Sequence, residues 1–131
     1  MALTATIALS QSSVTIHEPT FAVITVSNSG GAAVNMASIS PLVKFTGNSQ
    51  ILDASSYGAP HELLINPANQ SVPAGGSATF SYELCVHAPS TKVDDSGTGT
   101  YDVGAQCYGA DGSSFAPAPA TLTVHPVLPI F

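Results

Sequence analysis

The stretch 19–41, PTFAVITVSNSGGAAVNMASISP, constrains the fold of this chain more than any other. Residues 21–26 are all β-branched, aromatic or small and apolar, a composition that packs well on a pleated surface and poorly along a helix. Asn28-Ser29-Gly30-Gly31 follows, a cluster that tolerates positive φ and so favours a tight turn. Strand, turn and strand in succession predict a β-hairpin. Ala22, Ile24 and Val26 fall on one face of its first strand, Phe21, Val23 and Thr25 on the other. Apolar groups on both faces predict a strand covered on both sides.

The same period of two recurs along the chain, and helical periodicity is almost absent. Leu3–Leu9 and 14–16 read as strands with a turn or bulge at 10–13 between them. Segments 33–39 and 42–45 read as strand interrupted by Pro41, whose missing N–H predicts an edge or a bulge. Residues 46–70 are the least regular part, with a short strand or helical turn at 61–65, and a connection this long is a common place for binding residues. Val72-Pro73-Ala74-Gly75-Gly76 is turn chemistry. Ala78, Phe80, Tyr82, Leu84 and Val86 then alternate along one face of a long strand. Segments 101–108 and 120–124 are further strands, and Ala110-Asp111-Gly112-Ser113 is a hairpin turn. About 7–9 short strands with frequent turn signals and no helix predict an all-β sandwich. One domain fits the 131 residues, with the sandwich over 1–124 and 125–131 as an extended apolar tail.

Two basic residues against eight acidic ones, a net charge of -6, argue against nucleic acid and against an anionic membrane surface. Only 8% of residues are charged, against about 25% in an average soluble domain. Such a surface is covered either by Ser, Thr, Asn and Gly or by another protein. No basic residue precedes Leu3–Leu9, so that segment reads as a strand rather than a leader. Cys107 shares the face of Tyr101, Val103 and Ala105, whereas Cys85 lies opposite the Phe80 and Tyr82 face. One thiol in and one out predicts no bridge, and a reducing compartment.

No catalytic or metal constellation stands out. His17, His61, His87 and His125 have no partner at ligand spacing, and surface histidines are the simpler reading. Asp94, Asp95, Asp102 and Asp111 offer oxygens for a calcium ion at one end of a sandwich, although acidic loops are usually just solvated. His61-Glu62 beside Ser55-Ser56 lacks a nucleophile-elbow context. The expectation is a non-enzymatic protein without cofactor or metal. The tail is different: Val127, Leu128, Ile130 and Phe131 are large apolar groups, each worth roughly 1.5–3 kcal/mol when buried. They either fold back over the sandwich or dock into a neighbouring subunit.

Three segments resemble bacterial and phage immunoglobulin-like modules. FAVITVSNSGGAAVNMASISP is similar to the opening of CARDB and ASPM/SPD-2/Hydin domains, VPAGGSATFSYELCVHAPS to their Pro/Gly turn and long strand, and DDSGTGTYDVGAQCYGADG to the approach to strand F. The resemblance implies a single immunoglobulin-like antiparallel β-sandwich and a Tyr101 hydroxyl bonded back into the preceding loop. The chain departs from antibody domains in having no Trp and in carrying Val103 where the second cysteine would stand. With the charge-poor composition and apolar tail, this leads to the expectation of a structural virion protein, a phage capsid decoration subunit that joins an oligomeric assembly. Phe21, Val23, Val127, Leu128, Ile130 and Phe131 would contact its partners. The alternative is a carbohydrate-binding or adhesion module with an aromatic platform drawn from Tyr57, Tyr108 or Phe115.

Overall fold

The computed structural model describes residues 3–15, 17–45, 50–51, 63–64, 70–86 and 99–125. Its elements are β1 (Leu3–Leu9), β2 (Ser13–Thr15), β3 (Thr20–Asn28), β4 (Val34–Phe45), β5 (Gln50–Ile51), β6 (Leu63–Leu64), β7 (Ser71–Val72), β8 (Ser77–Leu84), β9 (Gly99–Gly109), β10 (Ser114–Phe115) and β11 (Ala120–His125). They build two sheets. One is three-stranded in the order β1-β3-β8; the larger runs β2-β11-β9-β4-β5, with β10 on β9 and both β6 and β7 on β4. The pairing is antiparallel except between β2 and β11. The protein is an all-β, immunoglobulin-like sandwich. Its segments exceed the expected seven to nine because β2, β5, β6, β7 and β10 are only two or three residues long.

The hairpin expected at 21–39 does not form. β3 pairs with β1 on one edge and β8 on the other, so β4 has no edge of β3 to take and crosses to the opposite sheet, where it pairs with β9. Nor does this turn use positive φ, which falls instead at Gly75, Gly99 and Gly112 among the glycines. Asn28 closes the crossing. Its amide nitrogen donates to the carbonyls of Ala32 (2.8 Å) and Val72 (3.1 Å), and its oxygen accepts the Gly30 N–H at 2.9 Å. At 2% exposure, those bonds are what make the burial of an amide tolerable.

A second crossing takes the N-terminal strand from one sheet to the other between β1 and β2. The buried Thr20 holds it: its hydroxyl donates to the Gln11 carbonyl at 2.8 Å and accepts the Gln11 N–H at 3.1 Å. Pro41 does not break β4, which runs unbroken through it. The proline lies opposite Ala105, and on the other side of β4 it sits between the short β6 and β5 pairings, where no described strand needs its N–H. The irregularity is at Met36/Ser38 instead, where a bulge shifts the register and so turns Met36 and Ile39 to the core despite their odd spacing.

The inward rows of both sheets form one core. Ala22, Ile24 and Val26 from β3 and Phe80, Tyr82 and Leu84 from β8 face Met36, Ile39 and Val43 from β4, Tyr101, Val103, Ala105 and Cys107 from β9, and Leu122 and Val124 from β11. Tyr82 also ties the layers together. Its hydroxyl donates to the Gly104 carbonyl in the opposite sheet at 2.8 Å. The ladder of β11 on β9 ends at Ala120↔Val103 and that of β10 begins at Phe115↔Cys107, leaving β9 unpaired by strand in between. Pro117 and Pro119 stand in that interval, which explains the gap. At the near end of this interval the Gln106 amide donates to the Phe115 carbonyl at 3.2 Å.

Both thiols are free, Cys107 buried and Cys85 half-buried on the other face of its segment, as the alternation predicted. Burial pushes the Cys107 thiol up to about 11 from 9.0, and raises the Tyr101 phenol as well. Burial and, secondarily, the neighbouring Glu83 raise the Cys85 thiol.

Two outcomes follow. Replacing Tyr82 with Phe removes the buried bond from its hydroxyl to the Gly104 carbonyl and should cost about 0.5–1.5 kcal/mol, read as a lower midpoint in calorimetry or urea. The second concerns alkaline pH. Cys107 and Tyr101 stay protonated in the folded chain after they have begun to ionise in the unfolded one, so the folded state binds more protons there. Stability should therefore fall as pH rises from about 9 to about 11. Urea midpoints measured across that window should show the fall, with a shallower slope for Cys107→Ala.

Candidate functional site

The outer faces of the two sheets are the surfaces on which the sequence and the fold place candidate groups. On the three-stranded sheet the outward residues align in four cross-strand rows: Thr4, Ser27 and Ser77; Thr6, Thr25 and Thr79; Ala8, Val23 and Ser81; and Ser10, Phe21 and Glu83. Glu83 is the one charged group among them. Phe21 is 46% exposed and Val23 half-buried. The double-sided covering expected for β3 is thus absent on this side. Only Ala22, Ile24 and Val26 are sealed in the core, because only that row faces the second sheet.

The outer face of the larger sheet differs in character. Leu42 (45% exposed) and Tyr108 (40%) stand on it, on neighbouring strands. Gly104, with Pro119 over it, is directly opposite Leu42, and the Ser40 and Gln106 row lies between Leu42 and Tyr108. Lys44 and Asp102 are directly opposite across β4 and β9, an arrangement of opposite charges that favours the pairing. Leu42 was not recognisable as a surface residue from the sequence, because the apparent break at Pro41 hid its phase relative to Val43.

The structure separates several groups considered together above. Phe115 is half-buried and packs against the core, so it does not belong to an aromatic platform; Tyr57 lies outside the described residues. Asp102 is on a sheet face, whereas Asp111 accepts from the Ser113 hydroxyl and N–H within the β9–β10 turn, bonds that hold its carboxyl below the usual range. Asp94 and Asp95 are outside the described residues, as are His61, His87, Glu62, Ser55 and Ser56. His125 shares a 2.8 Å hydrogen bond with the Ser13 hydroxyl on the exposed face of β2 and β11. His17 occupies a turn with φ 73°, its N–H bonded to the Val86 carbonyl at 2.8 Å. Among the described residues no three His, Cys, Asp or Glu side chains group as metal ligands. The tail residues Val127, Leu128, Ile130 and Phe131 lie outside the described residues, as does the loop that the Tyr101 hydroxyl was expected to reach.

No protein-family model and no curated protein matches the sequence. Solved structures do match in fold. A CARDB domain from Pyrococcus furiosus, solved in complex with di-metal ions, aligns over 93% of this chain and 86% of its own at a TM-score of 0.55 and 12% identity. The C-terminal domain of wzt aligns over 96% of this chain and 72% of its own, at a TM-score of 0.56 and 14% identity. A cohesin module from a Clostridium perfringens family 33 glycoside hydrolase aligns over 96% and 98%, at a TM-score of 0.52 and 10% identity. At these identities the likeness is one of fold: the chain shares the β-sandwich of these modules.

Proposed function

We propose that this chain is a non-enzymatic interaction module whose three-stranded sheet docks a protein partner around Phe21 and Val23. One observation carries the reading: a half-exposed phenylalanine stands on a regular strand between Ser10 and Glu83, with Ala8, Val23 and Ser81 in the adjoining row and Glu83 the single charge of the face. An aromatic anchor beside small apolar and hydroxyl-bearing groups, with a charge at the margin, is the usual anatomy of an interface. A β-strand holds Phe21 at a fixed height above the sheet, so little side-chain entropy is lost when a partner covers it. The narrower form of the proposal is an accessory subunit of a virion that decorates a phage capsid. It draws on the charge-poor composition and on the apolar residues 127–131. Binding at many equivalent sites would then stabilise the shell by mass action.

A second reading places carbohydrate on the opposite face. Tyr108 is the exposed aromatic there, with Leu42, Ser40 and Gln106 on the same face. A sugar ring stacked on Tyr108 would take its hydrogen bonds from such neighbours.

The two readings separate experimentally. Capsid genes are expected beside the coding sequence, and empty shells assembled from that capsid subunit should pull the chain down in a sedimentation assay. Phe21→Glu should weaken this binding about tenfold or more while moving the folding free energy by only about 0.5 kcal/mol, as for other surface positions. Shells that leave the wild-type chain in the supernatant would overturn the capsid assignment. On a glycan array, binding that disappears in Tyr108→Ala and survives in Phe21→Glu would establish the carbohydrate reading instead.

A further inference from the structure

We propose that the open edge of β1 is a self-association site, at which two copies of this chain pair antiparallel about a two-fold axis through Ile7. The inference is independent of what the Phe21 face binds.

The direction of the backbone groups follows from one bond. Ser10 N–H donates to the Phe21 carbonyl at 2.9 Å, which makes Ser10 and Phe21 a hydrogen-bonded pair. Bonded pairs recur at every second residue of an antiparallel ladder. The regular register therefore makes Ala8↔Val23, Thr6↔Thr25 and Thr4↔Ser27 the other bonded pairs. The N–H and C=O groups of Leu3, Ala5, Ile7 and Leu9 point the other way, out of the sheet edge, where no described strand meets them. Leu3 is only 2% exposed and is already covered, whereas Ala5, Ile7 and Leu9 remain partly exposed although their side chains face the core. Three residues thus offer an unpaired row of donors and acceptors.

Nothing on β1 guards this edge. LTATIAL contains no charge, no proline and no bulge, the devices that normally keep edge strands apart. Charge selects the edge. Each copy carries a net charge of -6, so two copies approach at least cost along a strip without carboxylates; β1 is one, whereas the opposite edge strand, β8, carries Glu83. The sequence also matches itself. A two-fold axis at Ile7 sets Ile7 against Ile7 and Ala5 against Leu9, large beside small, and gives each of the three open residues both of its hydrogen bonds. An axis at Thr6 would require the covered Leu3 to pair. The product is a continuous six-stranded sheet, and because the axis is perpendicular to it, both Phe21 faces look the same way. An edge contact of this size is smaller than the roughly 1,200 Å² of stable interfaces, so the dimer should be concentration-dependent.

Sedimentation equilibrium of the full chain should show a monomer–dimer equilibrium. Ala5→Pro removes an N–H that serves the open edge and not the β1–β3 ladder; it should lower the association constant at least tenfold. A register test stands apart from any folding defect. In the Cys85→Ser background, Thr6 of one copy faces Ala8 of the other as a non-bonded pair about 4.5 Å apart between Cα atoms, within reach of a disulfide. A mixture of Thr6→Cys and Ala8→Cys chains should therefore form covalent dimer faster than either chain alone. A wild-type chain that stays monomeric at every concentration, an undiminished dimer in a folded Ala5→Pro, or equal crosslinking in the mixture and the separate chains would overturn the proposal.

Discussion

β3 has both of its edges occupied, by β1 and β8, and the path of the rest of the chain depends on it. A strand paired on both sides cannot also form a hairpin with the strand that follows. The chain has to leave the sheet at Asn28, and β4 becomes an inner strand of the second sheet, between β9 and β5. With β4 there, β9 has its long partner, and the Tyr101, Val103, Ala105 and Cys107 row closes over Ile24 and Val26. The burial of those rows supplies the driving force, at roughly 1.5–3 kcal/mol for each large apolar side chain.

Crossings and gaps leave backbone groups without a ladder, and individual side chains take over. Asn28 bonds two carbonyls and one N–H at the first crossing; Thr20 bonds both backbone groups of Gln11 at the second. Tyr82 bonds the Gly104 carbonyl across the core, and Gln106 bonds the Phe115 carbonyl where the proline-bearing segment 116–119 begins. Among the described residues no buried side-chain polar atom lacks a partner. A buried polar group costs free energy only when its bonds are unmade, so these few residues hold the connectivity at little net expense.

The fold by itself does not say what the chain does. Modules as different as a CARDB domain and a cohesin align with it at 10–12% identity, and a shared sandwich does not transmit function. The outer faces of its two sheets present little charge, Glu83 on one and Lys44 with Asp102 on the other. One outer face is a hydroxyl field with Phe21 at its end; the other sets Leu42 and Tyr108 around Gly104 and Gln106.

The sequence by itself determined where the long strands run and which way their side chains point. The Ala22, Ile24, Val26 row, the Phe80, Tyr82, Leu84 row and the opposed placement of Cys85 and Cys107 were all legible, because a period of two is written residue by residue. Phe21 and Val23 were legible as a second apolar row for the same reason. Only the tertiary structure decided that β3 and β4 part company, that Pro41 lies inside a strand, that a bulge turns Met36 inward and that Leu42 reaches the surface. Those outcomes depend on which edges are already taken and on what lies opposite a given residue. Alternation along one strand holds no information about either, since strand pairing is settled between segments far apart in the chain.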